Sequence, residues 1–306
     1  RIIAPPGFLR WKAALASVSI HLCIGSVYAW SIFNPPLTKI HGVAGSAADD
    51  WSVEQVVWVF TVAIVFLGLS AAFAGKWLER VGPRAVGTVA ACCWGGGFFL
   101  GGIAILTRQL WLLYLGYGVL GGCGLGLGYV SPVSTLIRWF PDRRGLAAGL
   151  AIMGFGGGAI VGTPLKEALL KAYFVAPQFV GAGAGVELET RAGRRYALLD
   201  GIPREVIVLS AAEAKQLPVR CNPGVYVVGT GRTGMVETFL SLAAIYFAVM
   251  IVAAFSYRIP APGWQPAGWT PPTEADAAKK MINRRHVELN QALFTPQFYL
   301  LWIMLC

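Results

Sequence analysis

The sequence predicts an all-α integral membrane protein with six N-terminal transmembrane helices, part of a seventh, and a small extracytoplasmic α/β insert. Its 306 residues are 56% hydrophobic and 13% charged, whereas soluble domains carry about 25% charged residues. Six apolar runs hold no Asp, Glu, Lys or Arg, and each has about the 20 residues that a helix needs to cross a bilayer. The mean hydropathy of +0.61 agrees, because a soluble domain of this composition would not stay in solution.

The apolar runs and their connections define the predicted organisation. In order, the runs are residues 13–33, 56–74, 85–106, 110–137, 145–165 and 239–257. We expect Asn34-Pro35-Pro36 to end the first run, since proline disrupts helices. A seventh run starts near Phe298 and is cut off, so we expect a fragment of a longer protein. The predicted parts are transmembrane helices one to five at 11–171, the insert at 172–233, helix six at 234–258, a cytoplasmic linker at 259–294 and the truncated start of helix seven at 295–306.

The polar stretch between the fifth and sixth runs has the pattern of a small folded insert. Ser210 and Glu213 have the spacing of a capping box at the start of a short helix. We expect a solvent-facing lid or spacer, with partner binding as the alternative. The strand and turn candidates are 196–199, Asp200-Gly201, 205–209 and 225–228.

The distribution of Lys and Arg predicts the orientation of the chain. Short loops at the face that holds the N-terminus are rich in basic residues, whereas the opposite short loops hold only Lys39 and Arg108. Because cytoplasmic loops carry an excess of Lys and Arg, we expect a cytoplasmic N-terminus in a bacterial inner membrane. The net charge of +10 is then mostly topological, and no aromatic-basic pattern supports nucleic-acid binding.

A charged turn at residues 75–84, GKWLERVGPR, separates the second and third runs. It resembles the signature loop of the major facilitator superfamily, with Glu79 where that loop usually carries Asp. We expect Glu79 to form a charge pair among the neighbouring basic residues, and Gly75 to let two helix ends approach closely. Together with two arginines of the next turn on this face, the expected gating motif is Gly75, Glu79, Arg80, Gly82, Arg84, Arg143 and Arg144.

Two sets of glycines recur every four residues, so each set lies on one helix face. Such faces let another backbone pack closely. The two possible roles of these faces are static helix packing and a sliding contact that lets helices rock. The first set is Gly118, Gly122 and Gly126, and the second is Gly154, Gly158 and Gly162.

A few polar side chains fall inside the apolar runs. His21 and Tyr28 share one helix face with Gly25. His21 is the only side chain among Asp, Glu, Lys, Arg and His within the six runs, and ionisable residues in membranes are candidates for function. A neutral histidine hydrogen-bonded between helices is the alternative. Tyr129 and Ser131 in the fourth run could contact either another helix or a substrate.

Further motifs resemble the oxalate/formate antiporter family of the major facilitator superfamily. They are Tyr28-Ala29-Trp30-Ser31-x-Phe33, Gly126-x-Gly128-Tyr129-x-Ser131-Pro132, the run from Arg138 to Gly149, and Thr295-Pro296-x-Phe298-Tyr299. The resemblance covers the chain except for the insert. It implies twelve helices in two halves around a path for a small carboxylate. It also implies that Tyr28, Trp58 and Tyr129 line this path and that cations of the second half bind the anion.

The same residues limit the chemistry of the protein. Drug/proton antiporters usually carry Arg early in the fourth helix, which is absent from 114–122 here. The cysteines lack metal-site spacing, and the six runs hold no Asp or Glu and a single His, so we expect no metal, no cofactor and no enzyme activity. We expect a lipid bilayer as the surroundings and a monomeric full-length protein.

A buried anionic substrate would need a positive charge close to it. No Lys or Arg lies within the six runs, and an unpaired buried carboxylate costs several kcal/mol. We therefore expect the second half to supply a cation, while this half supplies aromatic walls and hydrogen bonds. The alternatives are a transporter of a neutral or zwitterionic solute, and a membrane sensor or receptor that uses the insert.

Overall fold

The computed structural model describes residues 2–215, 217, 219, 221–270 and 294–305. Contacts divide the chain into two compact units, Arg1–Pro262 and Gly263–Cys306. The first unit contains six helical spans that are long and apolar enough to cross a membrane, which confirms the predicted fold class. The spans are Arg10–Leu37, Val53–Val81, Pro83–Leu106, Leu110–Trp139, Pro141–Tyr173 and Met235–Ser256.

The first span is a broken helix. Helix α1 (Arg10–Gly25) is followed by a 3-10 segment, Ser26–Phe33, in which Ala29 has the non-helical angles φ −92° and ψ 28°. A further turn, α2 (Asn34–Leu37), then begins with prolines in its first positions. The expectation that the prolines end the span is therefore wrong. Proline lacks an N–H that the first helical turn does not need, so it can start a helix.

The second and third spans meet at the predicted turn. Helix α3 (Val53–Val81) begins with a capping box between Ser52 and Gln55. It ends where Gly82 takes φ +83°, a left-handed conformation that favours glycine. Helix α4 (Pro83–Leu106) starts at the next residue.

The fourth and fifth spans carry further departures from uniform α-helix. The fourth consists of α5 (Leu110–Leu113), a π-helical segment (Tyr114–Gly121) and α6 (Gly122–Trp139). After a 3-10 turn at Pro141–Arg143, helix α7 runs over Arg144–Tyr173. It extends well past residue 165, where the apolar run stops at a lysine. The predicted run ended at residue 165 because Lys166 is charged, whereas the helix continues past this lysine.

The core lies where α1, α4, α6 and the sixth span meet. Trp94 is fully buried and contacts Phe98 edge-on and Tyr117 at a tilt, with ring centroids 5.0 and 5.5 Å away. At one end of the bundle, the Arg10 guanidinium binds the Asp142 carboxylate at 2.7 Å. This contact brings the start of α1 against the turn between α6 and α7.

The insert is a five-stranded antiparallel sheet with one short helix. The predicted pair of strands around Asp200-Gly201 is confirmed, and Ser210 and Glu213 form the predicted capping box. The first two strands were not predicted, because they are short and β2 is exposed along its whole length. Along the chain, the elements of the insert and the last span are β1 (Phe179–Gly181), β2 (Leu188–Arg191), β3 (Arg194–Leu199), β4 (Ile202–Leu209), α8 (Ala211–Lys215), β5 (Gly224–Val227) and α9 (Met235–Ser256). Within the sheet, the strands lie in the order β1-β5-β4-β3-β2.

The insert is fastened to the loop that follows α2. Arg194 makes two hydrogen bonds to the Asp49 carboxylate, at 2.8 and 3.0 Å. The Gly229 N–H donates to the His41 carbonyl at 3.1 Å. Ala44 of the loop also joins a buried cluster with three residues of the insert, Leu209, Ala214 and Tyr226.

The second unit is described only in part. Most of the predicted linker at 259–294 lies outside the described residues. Helix α10 (Pro296–Leu305) begins at the predicted seventh run.

Candidate functional site

Four rings from three of the six helical spans form one cluster, which we call the aromatic cluster: His21, Tyr28, Tyr129 and Phe155. Ring centroids lie 5.3 Å apart for His21 and Tyr129, and 5.1 Å apart for Tyr129 and Phe155. Tyr28 meets Phe155 edge-on at 5.1 Å. The structure thus brings together three of the predicted path residues. It adds Phe155, which the sequence reasoning did not single out.

The aromatic cluster is closed at one side and open at the other. His21 is fully buried, Tyr129 and Phe155 are half-buried, and Tyr28 is 51% exposed. His21 Nε2 lies 3.2 Å from the Tyr129 carbonyl. Because a carbonyl only accepts, Nε2 donates this hydrogen bond, and Nδ1 is buried without a hydrogen-bond partner among the described residues. The open side therefore offers the Tyr28 ring and hydroxyl to solvent or to a ligand.

A surface cleft of about 360 Å³ runs along α6 from the aromatic cluster. Its wall is mostly apolar, with one hydroxyl and one guanidinium at the far end. It leads from the half-buried Tyr129 ring to the positive charge of Arg138. The lining residues are Tyr129, Val130, Val133, Ser134, Ile137 and Arg138.

Two predicted path residues lie elsewhere. Ser131 is fully buried, and its carbonyl accepts from the Thr135 hydroxyl at 2.8 Å. Trp58 is 60% exposed on α3. In the described part of the chain, no ring contact joins Trp58 to the aromatic cluster. Neither residue is therefore part of the same surface.

The second glycine set brings α7 onto α1 next to the aromatic cluster. A Cβ at Gly154 would lie 2.8 Å from the His21 Cβ, and one at Gly158 would lie 2.6 Å from the Gly25 Cα. Both distances are shorter than side chains allow. Phe155 follows Gly154 directly, so this close approach is what lets its ring reach Tyr28.

The first glycine set packs against α3 in the same way. A Cβ at Gly118 would lie 2.8 Å from Val62 Cγ1, and one at Gly122 would lie 2.7 Å from the Ala63 carbonyl oxygen. Gly126 faces the Leu67 carbonyl even more closely. Close static packing is thus present at both sets, and a sliding role stays a prediction.

The charged turn differs from expectation at two residues. Glu79 is exposed, and none of the ion pairs found among the described residues includes it. Gly75 lies inside α3, and a Cβ there would meet no atom within 4 Å. The expectations of a charge pair at Glu79 within this half and of a close approach at Gly75 are therefore wrong. Arg80 is exposed as well.

The structure shows the contacts or the exposure of the other arginines of the expected gating motif. Arg84 donates to the Tyr257 carbonyl at 3.4 Å, which ties the charged turn to the end of α9. Arg143 lies 3.7 Å from Asp142, and Arg144 is exposed at the start of α7. The turn is therefore linked to the sixth span rather than to a local acid.

Lys166 is the residue that the sequence reasoning missed. Its side chain is fully buried, and Nζ donates to the carbonyls of Ser26 at 2.6 Å and Ala29 at 3.3 Å. The ammonium also lies 4.7 Å from the centre of the Phe33 ring. The expectation that this half lacks a cation within its membrane-spanning part is wrong. The four-residue spacing of the glycine set continues from Gly162 to Lys166, and that signal places the lysine on the face toward α1.

Among the described residues, no group of three or more His, Cys, Asp or Glu side chains is placed to hold a metal ion. The chemistry available at the aromatic cluster is hydrogen bonding, ring contact and electrostatics.

Similar proteins were found by sequence. An uncharacterised transporter of the major facilitator type, YhjX of Escherichia coli, is 30% identical over 242 residues, which cover 73% of this chain and 57% of YhjX. Apicoplast pyruvate carrier 1 of Toxoplasma gondii is 26% identical over 55% of this chain and 37% of the carrier. The oxalate:formate antiporter of Oxalobacter formigenes is 29% identical over 57% of this chain and 39% of the antiporter. The chain thus spans only part of the length of each relative.

The family assignment rests on a broader match. The sequence profile of the Major Facilitator Superfamily matches residues 16–186, which is more than half of the chain. This range contains the charged turn, both glycine sets and the aromatic cluster. The resemblance found in the motifs is confirmed: the chain belongs to the Major Facilitator Superfamily, a family of membrane transporters.

Proposed function

We propose that the full-length protein is a secondary active transporter of small organic anions that works by alternating access. The observation that carries this proposal is the aromatic cluster, in which Tyr28 is exposed and Tyr129 lines a cleft that ends at Arg138. Hydroxyls can donate hydrogen bonds to a carboxylate, and ring edges carry partial positive charge. Two of the relatives reported above are, by name, a pyruvate carrier and an oxalate:formate antiporter, which supports the same substrate class.

The distribution of carboxylates favours an anion over a cation. Within the six described spans, every Asp and Glu lies within seven residues of a span end. A fixed negative charge next to the aromatic cluster would repel a carboxylate and attract a cation instead. The five acids are Glu54, Glu79, Asp142, Glu167 and Glu237.

The proposal includes an orientation in a bacterial inner membrane. The N-terminus, the charged turn and the turn at Asp142 would face the cytoplasm, because their end of the bundle is rich in Lys and Arg. The insert would then lie outside, as a spacer fixed to the loop after α2. During the cycle, the two glycine sets would let α3, α6 and α7 shift against their neighbours.

Counterflow into proteoliposomes tests this proposal. Full-length protein is reconstituted with unlabelled oxalate, formate, pyruvate or lactate inside, and uptake of the labelled solute is measured. We expect at least one of these carboxylates to accumulate transiently. Tyr28→Phe should weaken this exchange, whereas Tyr173→Phe serves as the matched control, because Tyr173 bonds to Ser241 away from the aromatic cluster.

The alternatives predict different results. A transporter of neutral or zwitterionic solutes would exchange none of the four carboxylates but would move such a solute. A sensor would bind a ligand through the insert without any exchange. Either result would refute the proposed function.

A further inference from the structure

Lys166 in α7 is a buried lysine without a carboxylate partner among the described residues. Lys166 is fully buried, and none of the ion pairs found among the described residues includes it. An uncompensated charge inside a membrane protein is costly, and such residues usually serve the transport path or line a cavity. Glu167, the next residue in α7, is exposed and lies on another face.

The ammonium is held by the break in the first span. Nζ donates to the carbonyls of Ser26 and Ala29, and the angles of Ala29 interrupt the helix at that point. In transporters with interrupted helices, freed carbonyls can coordinate a cation. Here a side chain of the same protein takes that position, and the Phe33 ring below it adds a cation–π contact.

The two carbonyls bracket Tyr28 in the chain. Tyr28 directly precedes Ala29, and its ring forms the open side of the aromatic cluster through the contact with Phe155. Lys166 therefore fixes the backbone on which Tyr28 stands. Since none of the described acids forms an ion pair with it, its charge also adds a positive potential near this ring, and that potential is screened less inside the bundle than in water.

We propose that Lys166 is the positioning residue and fixed positive charge that makes the aromatic cluster selective for anions. It acts through the 3-10 segment and through its field, without touching the substrate. The inference deepens the proposed function and rests on it. For two charges roughly 10 Å apart at an effective dielectric constant near 20, the effect on binding is about tenfold.

Charge and hydrogen bonding are separated by two substitutions in full-length protein. Lys166→Arg keeps the charge and the donors, and we expect apparent KM values for oxalate and formate within about threefold of the wild type. Lys166→Gln keeps a donor of similar length but removes the charge. We expect its KM for the monoanion formate to rise about tenfold, its KM for the dianion oxalate to rise more, and its maximal rate to stay within about threefold.

The matched control is Lys171→Gln, which removes an exposed lysine one turn further along α7 and should leave both KM values unchanged. Equal KM changes in Lys166→Arg and Lys166→Gln would overturn the role of the charge. An unchanged KM in Lys166→Gln would overturn the whole inference. If wild-type protein exchanges no carboxylate, the proposed function fails.

A second measurement does not depend on transport or on a stable Lys166 variant. Tyr28→Cys and Trp58→Cys are prepared in a background in which the native cysteines are replaced, and each is labelled with an anionic and a cationic thiosulfonate reagent. Both positions are well exposed. We expect the ratio of anionic to cationic labelling rates to be about tenfold higher at position 28. Equal ratios would contradict a positive potential at this site and would overturn the inference.

Discussion

The contact between α1 and α7 makes a quantitative prediction for Gly158→Ala. The added Cβ would lie 2.6 Å from the Gly25 Cα and 2.7 Å from the Leu22 carbonyl oxygen. Both neighbours are backbone atoms, so no flexible side chain can move aside. Helix α7 has to shift away from α1, and overpacking of this kind costs about 1–3 kcal/mol. The shift would also withdraw Phe155 from Tyr28.

Gly156→Ala is the matched control for this substitution. Gly156 is two residues away in the same helix, and a Cβ there would meet no atom within 4 Å. Both substitutions gain about 1 kcal/mol of helix propensity, so the difference between the variants isolates the packing cost of about 1–3 kcal/mol.

The assay is thermal unfolding of the purified full-length variants in detergent, followed by counterflow. We expect Gly158→Ala to unfold at a lower temperature than Gly156→Ala, by several degrees, and to exchange its substrate more slowly. Equal midpoints for the two variants would refute the packing argument, because the two changes are chemically identical and differ only in their surroundings.

Three further predictions concern other parts of the chain. Glu79→Gln should slow exchange while expression and membrane insertion stay normal, because we expect its carboxylate, which forms no ion pair among the described residues, to form a charge pair at the cytoplasmic face during the cycle; unchanged turnover would argue against this role. Cys221 should react with a membrane-impermeant thiol reagent in whole cells, with Cys221→Ser as the control; reaction only after the cytoplasmic side is opened would contradict the orientation. Arg194→Ala should speed hydrogen exchange in β3 and in the loop at Asp49, whereas Arg191→Ala, whose partner lies in the same strand, should leave that loop unchanged.

Local signals in the sequence were sufficient for much of the fold. The Gly82-Pro83 turn follows from the conformations that these two residues favour and exclude, and the structure has the turn at that point. The same holds for the β3–β4 hairpin around Asp200-Gly201 and for the capping box at Ser210. In each case a few adjacent residues determine the result.

The features that were missed depend on contacts between distant segments. Lys166 is separated from Ser26 by most of the first five spans, and only the packing of α7 on α1 turns a charged residue into a buried one. The break in the helix at Ala29 likewise could not be predicted locally, because neither Ala29 nor a residue next to it is proline or glycine. The aromatic cluster was predicted in part, because Tyr28 and Tyr129 belong to recognisable motifs. Phe155 and the position of Trp58 required the helix arrangement.

Competition among three solutes of similar shape tests whether the protein recognises small organic anions. Counterflow of a labelled carboxylate is measured in the presence of oxalate, oxamate or oxamide, which have similar size and carry two, one and no negative charges. We expect oxalate and oxamate to compete and oxamide to compete at least about tenfold more weakly. Competition by oxamide that equals or exceeds that of the two anions would contradict the assignment of small organic anions as substrates.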